Sequence, residues 1–146
     1  MRKMAAPPKR LHTLLTMALD DLSAIERDKR YQVNMFYWHR PIRHLDEKRM
    51  CQVCLGGAVM ARRVGLNLDC EATPSSPQIP TAWRDGLCAL DSLRSGGVES
   101  AVNDYYWEGK KECRVDDIAV PPYEDDRRGF KFTLRRLARR LREANL

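Results

Sequence analysis

At 146 residues, 43% of them hydrophobic, the chain is one domain by size and can bury a core without a metal or a disulfide. An odd number of cysteines, five, argues against a disulfide-stapled secreted scaffold, and no apolar run reaches the roughly 20 residues that cross a bilayer. The opening MRKMAAPPK also lacks the apolar segment of a signal peptide, so the expectation is a soluble protein of the reducing cytoplasm with no membrane contact.

Residues 1–8 end in Pro7 and Pro8 and read as a disordered leader. From Lys9 to about Asp28 the positions Leu11, Leu14, Leu15, Ala18, Leu19, Leu22 and Ile25 predict an amphipathic helix, with His12, Thr16, Asp20, Ser23 and Arg27 on its polar face. Tyr31 to Arg43 is aromatic-rich and holds Pro41, which reads as a connecting loop with at most a short extended piece. Its Phe36, Tyr37 and Trp38 are expected to cap the core. Asp46 and Glu47 suit the first turn of the next helix.

The stretch Cys51 to Leu66, CQVCLGGAVMARRVGL, is apolar or small on nearly every side, and is predicted to be a central buried helix. Arg62 and Arg63 would sit in its last turn, and Gly65 would stop it. A glycine inside a helix costs about 1 kcal/mol relative to alanine, so the pair Gly56 and Gly57 calls for the close approach of a neighbouring helix.

Asn67 to Pro80, with three prolines and two serines, predicts a long surface loop. Thr81 can cap a helix running from Ala82 to about Arg94, ended by Gly96 and Gly97. A short helix over Val98 to Trp107 follows, and Cys113 to Val120 is a weak strand candidate. The terminal segment from about Lys131 to Ala144 reads as a helix with Leu134, Leu137 and Leu141 on one narrow face. That stripe would suit a homodimer contact as well as an intramolecular one. The whole predicts a mainly α fold: a single compact helical domain of about five helices with long connecting loops. It divides into a leader at 1–8, a core at 9–126 and an arginine-rich C-terminal helix at 127–146.

The net charge of +6 is unevenly placed. Residues 127–142 hold eight of the 26 basic residues and none of the 20 acidic ones, so this stretch carries +8 and the remainder −2. Arg127, Arg128, Lys131, Arg135, Arg136, Arg139, Arg140 and Arg142 are therefore the candidate partner-binding residues. They can pair with carboxylates of an acidic protein or with the phosphates of a nucleic acid, and the competing reading is a solvated face balanced by Glu124, Asp125 and Asp126.

Catalytic signatures are absent. No P-loop, dinucleotide fingerprint or zinc-protease motif occurs, and adjacent carboxylates such as Asp20 with Asp21 or Asp116 with Asp117 suit solvated faces, caps and connectors. The expectation is a protein that is not an enzyme and needs no cofactor. One metal candidate exists: His39, His44, Cys51 and Cys54 are of zinc-ligand type, although H-x4-H-x6-C-x2-C is not a standard zinc spacing. The competing readings of the two cysteines are buried packing beside the glycine pair and a redox pair, for which no βαβ context is present.

The combination of Trp38, His39 and Pro41, then C-x-V-C-L-x-G-A-V-M-A from Cys51 to Ala61, then A-L-D-S-L-R-S-G from Ala89 to Gly96, resembles small uncharacterised proteins of bacteriophages and prophages. The resemblance spans roughly Leu11 to Tyr106 and leaves the arginine-rich end outside it. It implies a binding protein that occludes a host or anti-phage defence protein, an anti-CRISPR-like inhibitor being one form. A nucleic-acid-binding helical module is the alternative, and a small zinc protein a weaker one. On the first reading the arginine helix and the loop from Asn67 to Pro80 are the expected contact surfaces.

Overall fold

A computed structural model describes residues 6–43 and 49–146. His44, Asp46 and Glu47 lie outside the described residues, as do the first five positions of the expected leader.

The first helix forms where the leucine spacing predicts it. α1 (Leu11–Glu26) buries Leu11, Leu14, Leu15, Ala18, Leu19, Leu22 and Ile25. One residue on its polar side departs from the expectation. Asp21 is completely buried rather than solvated.

The segment expected as a loop instead supplies two strands, β1 (Tyr31–Val33) and β2 (His39–Arg43). The predicted central helix also begins later than Cys51, because Arg49–Val53 is β3. β3 is the middle strand of a small sheet ordered β1-β3-β2, parallel to β1 and antiparallel to β2. Here two-residue alternation prevails: Cys51 and Val53 are buried, while Gln52 turns outward and bonds the Gln32 side chain on β1 at 3.2 Å. Pro41 is tolerated because β2 is an edge strand. The fold is therefore mainly helical with a three-stranded sheet.

α2 (Leu55–Val59) is short and fully buried, and it runs into a π-helical turn, Met60–Val64, closed by a bond from the Gly65 amide to the Met60 carbonyl. Gly65 adopts φ 76°, the left-handed stop expected of it. Gly56 and Gly57 do mark a close approach, but of the backbone and ring of Trp38 rather than of a helix: a Cβ on Gly56 would lie 2.3 Å from the Trp38 ring. Trp38 is half-buried against the core, whereas Phe36, expected to cap it, is 83% exposed.

The loop from Asn67 to Pro80 is pinned at intervals by buried Ala72, Pro74 and Ile79, and Ala72 bridges to His39. α3 (Thr81–Arg94) starts one residue early, with Pro80 rather than Thr81 in the cap position. α4 (Val98–Tyr105) follows, its first amide held by the Asp117 carboxylate at 3.0 Å. Cys113 to Val120 forms no strand.

α5 (Arg127–Glu143) begins at the start of the arginine-rich segment, because the Asp126 carboxylate accepts the Gly129 amide at 2.8 Å and caps it. Phe130, Leu134, Leu137, Ala138 and Leu141 are buried, and α5 packs along α1 of the same chain. Each of the larger side chains contributes roughly 1.5–3 kcal/mol through burial. The leucine stripe thus closes the chain's own core.

Candidate interaction surface

The docking of α5 on α1 decides which of its residues meet solvent. With about 3.6 residues per turn, Phe132 and Leu141 are two and a half turns apart and point to opposite sides. Leu141 is fully buried, and Phe132 is 64% exposed at the centre of the outer face. Arg128, Arg135 and Arg136, three or four residues away, surround it and are all exposed.

Among the described residues no ion pair ties Arg127, Arg128, Arg135, Arg136, Arg139, Arg140 or Arg142 to this chain. Arg127 stacks its guanidinium 5.3 Å from the centre of the Tyr123 ring. The nearby acid Asp126 accepts the Gly129 amide as the helix cap. Arg135 with Arg139 and Arg136 with Arg140 are like charges at i, i+4, each costing a few tenths of a kcal/mol. The arginines of the helix are thus without ion pairs among the described residues.

Lys131 behaves differently from the arginines with which it was grouped. It is half-buried and its ammonium is held by Glu26 and Ser23 of α1. Burial alone would raise the Glu26 carboxyl, but hydrogen bonds from Lys131 and Tyr123 hold it below its ordinary value. Lys131 is a structural tie between α1 and α5.

The two flanks of α5 have different surroundings. On one, Arg135, Arg139 and Arg142 face His12, Thr13, Thr16 and Asp20 of α1 across a groove of about 440 Å³ floored by Leu19 and Ala138. Burial, then the charges of Arg142 and Arg10, hold the His12 imidazole below its usual value. On the other flank Arg140 shares an open cleft of about 780 Å³ with Glu112, Arg114, Asp116 and Glu143. The basic residues were legible from sequence. Phe132, and the part that His12, Thr13 and Thr16 play in the groove, were not.

The candidate zinc ligands are only partly brought together. Cys51 Sγ lies 3.4 Å from His39 Nδ1, both side chains buried, and that nitrogen is 2.5 Å from the Cys70 carbonyl oxygen. Cys54 is not on a shared helical face with Cys51: its sulfur accepts the Gly57 amide at 3.4 Å and caps α2. Burial pushes the Cys51 thiol up to about 12 and the Cys54 thiol up to about 11, which disfavours the thiolate that nucleophilic attack uses. Among the described residues no three His, Cys, Asp or Glu side chains are arranged to hold a metal ion.

A second electrostatic centre was hidden in the sequence. The π turn aims Arg62 and Arg63 at the buried Asp21: Arg62 Nη1 lies 2.7 Å from Oδ1, and Arg63 donates to both carboxylate oxygens at 2.9 and 3.1 Å. Both arginines reach solvent with part of their side chains, and the carboxylate does not. Their role is to satisfy Asp21 rather than to complement a helix end.

No described helix is long and apolar enough to cross a membrane. Comparison with protein-family models, curated proteins and solved structures finds no match to this chain.

Proposed function

We propose that the chain is a phage-type, non-enzymatic binding protein that occludes an acidic surface of a host or anti-phage defence protein in the bacterial cytoplasm, as an anti-CRISPR-like inhibitor does. The observation that carries this reading is the outer face of α5: exposed arginines without ion pairs among the described residues, centred on the exposed Phe132, on a helix whose opposite face is locked into the core. Rigid presentation lowers the entropy lost on binding, and arginine with an aromatic side chain is the composition favoured at interface hot spots.

A nucleic-acid partner is the second reading, because an exposed phenylalanine among arginines can stack on a base while the guanidiniums meet phosphates. The mixed charge around the face favours a protein: Asp20 on one flank and Glu112, Asp116 and Glu143 on the other would repel a phosphate track but can pair with basic residues of a protein surface.

The test uses the full chain, since α5 completes the core. Capture from host lysate is compared, with and without nuclease, for the native chain and for the variant Arg135→Glu, Arg136→Glu, Arg139→Glu, Arg140→Glu, and affinity is then measured with the purified partner. A protein partner that survives nuclease and binds the variant at least about tenfold more weakly is expected. Recovery that disappears with nuclease and an affinity falling steeply with salt would replace this reading by nucleic-acid binding.

A further inference from the structure

The arginines of α5 are not equivalent, because α1 and the segment before α5 treat the two flanks differently. Arg140 stands among Glu112, Asp116 and Glu143, whereas Arg135, Arg139 and Arg142 meet a single acid, Asp20. Of the two clefts, the α1–α5 groove is therefore the one with excess positive charge, since Arg114 and Arg140 are outnumbered by acids in the other. The groove also has what the outer face lacks: walls on two sides and an apolar floor of Leu19 and Ala138. On its α1 wall the Thr16 hydroxyl is satisfied by the His12 carbonyl at 3.0 Å, while the Thr13 hydroxyl has only a long 3.4 Å contact with His12 Nδ1.

We propose that this groove is the specificity-determining part of the basic surface, and that its occupant is an acidic amphipathic helix of the partner protein. The inference rests on the binding-protein reading above and narrows it. Arg135, Arg139 and Arg142 follow i, i+4, i+7, so they rise about 6 and 4.5 Å along one flank of α5. Carboxylates at i, i+4 and i+7 of a helix laid alongside repeat with the same spacing, and an apolar residue on the same face of that helix meets Leu19 and Ala138. Guanidinium–carboxylate pairs can be bidentate, which fixes the register of the incoming helix as well as attracting it. A nucleic-acid strand matches the groove less well, because a run of phosphates would leave the apolar floor without a partner.

The test uses the whole protein and a fluorescein-labelled helical peptide with glutamates at i, i+4 and i+7 and one leucine on the same face. A peptide of identical composition with the glutamates dispersed around the helix serves as control, and duplex DNA as competitor. Two variants of equal charge change are compared: Arg135→Glu with Arg139→Glu in the groove, and Arg27→Glu with Lys29→Glu away from the basic surface. All four positions are exposed, circular dichroism checks the fold, and the corresponding changes to Gln provide a milder second set. The patterned peptide should bind about tenfold more tightly than the dispersed one, the groove variant should lose about tenfold or more, and the other pair should stay within about threefold.

Equal losses in the two variants, no binding by the patterned peptide, no preference for it, or its displacement by DNA would each overturn the groove assignment. Capture of the intact partner separates this from failure of the wider reading. Loss with Arg136→Glu and Arg140→Glu but not with the groove pair removes the groove and keeps the interaction surface. Undiminished capture by the four-arginine variant removes both.

Discussion

A Cβ built on Gly57 would stand 1.6 Å from the carbonyl oxygen of Trp38. At this point the residue that leads into β2 and the backbone of α2 touch, and the sheet is held against the buried helix by the absence of a side chain. Replacement of Gly57 by Ala cannot be relieved by a rotamer change, because the obstructing atom belongs to the main chain. A loss of about 3 kcal/mol is expected in urea unfolding, at the upper end for overpacked sites. Gly65→Ala, which meets open space but must keep φ 76°, should cost only about 1–2 kcal/mol. Equal effects would mean that the contact with Trp38 is easily displaced.

The buried Asp21 carboxylate receives three hydrogen bonds from Arg62 and Arg63. Asp21→Ala removes a fully buried acceptor, but the two arginines are 40–43% exposed and can turn to water. The expected loss is therefore about 2–3 kcal/mol, below the 3–5 kcal/mol typical when a wholly buried pair is broken. The single changes Arg62→Ala and Arg63→Ala should each cost less, and their double-mutant cycle should be non-additive, since both address one carboxylate. Thermal or urea unfolding at neutral pH measures all four. Unchanged stability in Asp21→Ala would show that the clamp contributes nothing net.

The five free thiols should react in a fixed order. Cys88 is exposed and should be modified first by a thiol reagent in the folded protein. Cys51 and Cys54 are buried and have pKa values raised by that burial, so they should react only as fast as the chain opens. Peptide mapping after brief labelling, with and without denaturant, reads the order. Early labelling of Cys51 would mean that the sheet beside His39 opens locally.

Burial holds His39 below its ordinary value, and the bond with the Cys70 carbonyl offsets this only in part. The unfolded chain takes up a proton near pH 6.5, while the folded state resists it. The folded pKa being the lower one, stability is fully present above that pH and declines as the pH falls below it. His12 acts in the same direction, and Glu26, also lowered, adds a loss in the more acidic range below its ordinary value of 4.5. Urea midpoints should drop from about pH 7 to 5 in the native chain and drop less in His39→Gln, which removes the titrating group. Identical profiles would assign the acid sensitivity elsewhere.

The helices with one apolar face were legible because their spacing has one interpretation. Leu11 to Ile25 and Leu134 to Leu141 could only be buried as stripes, and both are. The segment around Cys51 was not legible for the opposite reason. An apolar run with small residues fits a buried strand as well as a buried helix, and only pairing of β3 on both sides selects the strand for Arg49–Val53. The glycine pair signalled a close contact without naming its source, which lies far enough back in the chain to need tertiary structure. The positive charge of α5 was visible as composition. Its division into two flanks was not, because His12, Thr16 and Asp20 are separated from Arg135, Arg139 and Arg142 by more than 100 residues and meet only when α1 and α5 pack.

The pairing of α1 with α5 also sets the order in which the chain can mature on the ribosome. The leucine-rich face of α1 leaves the ribosome more than 100 residues ahead of Leu134, Leu137 and Leu141, which help to cover it. Until they arrive the nascent chain carries an uncovered apolar stripe that a holdase chaperone can recognise. The arginines of α5 acquire their fixed presentation in that same step, so the basic surface becomes competent only once α5 has docked on α1.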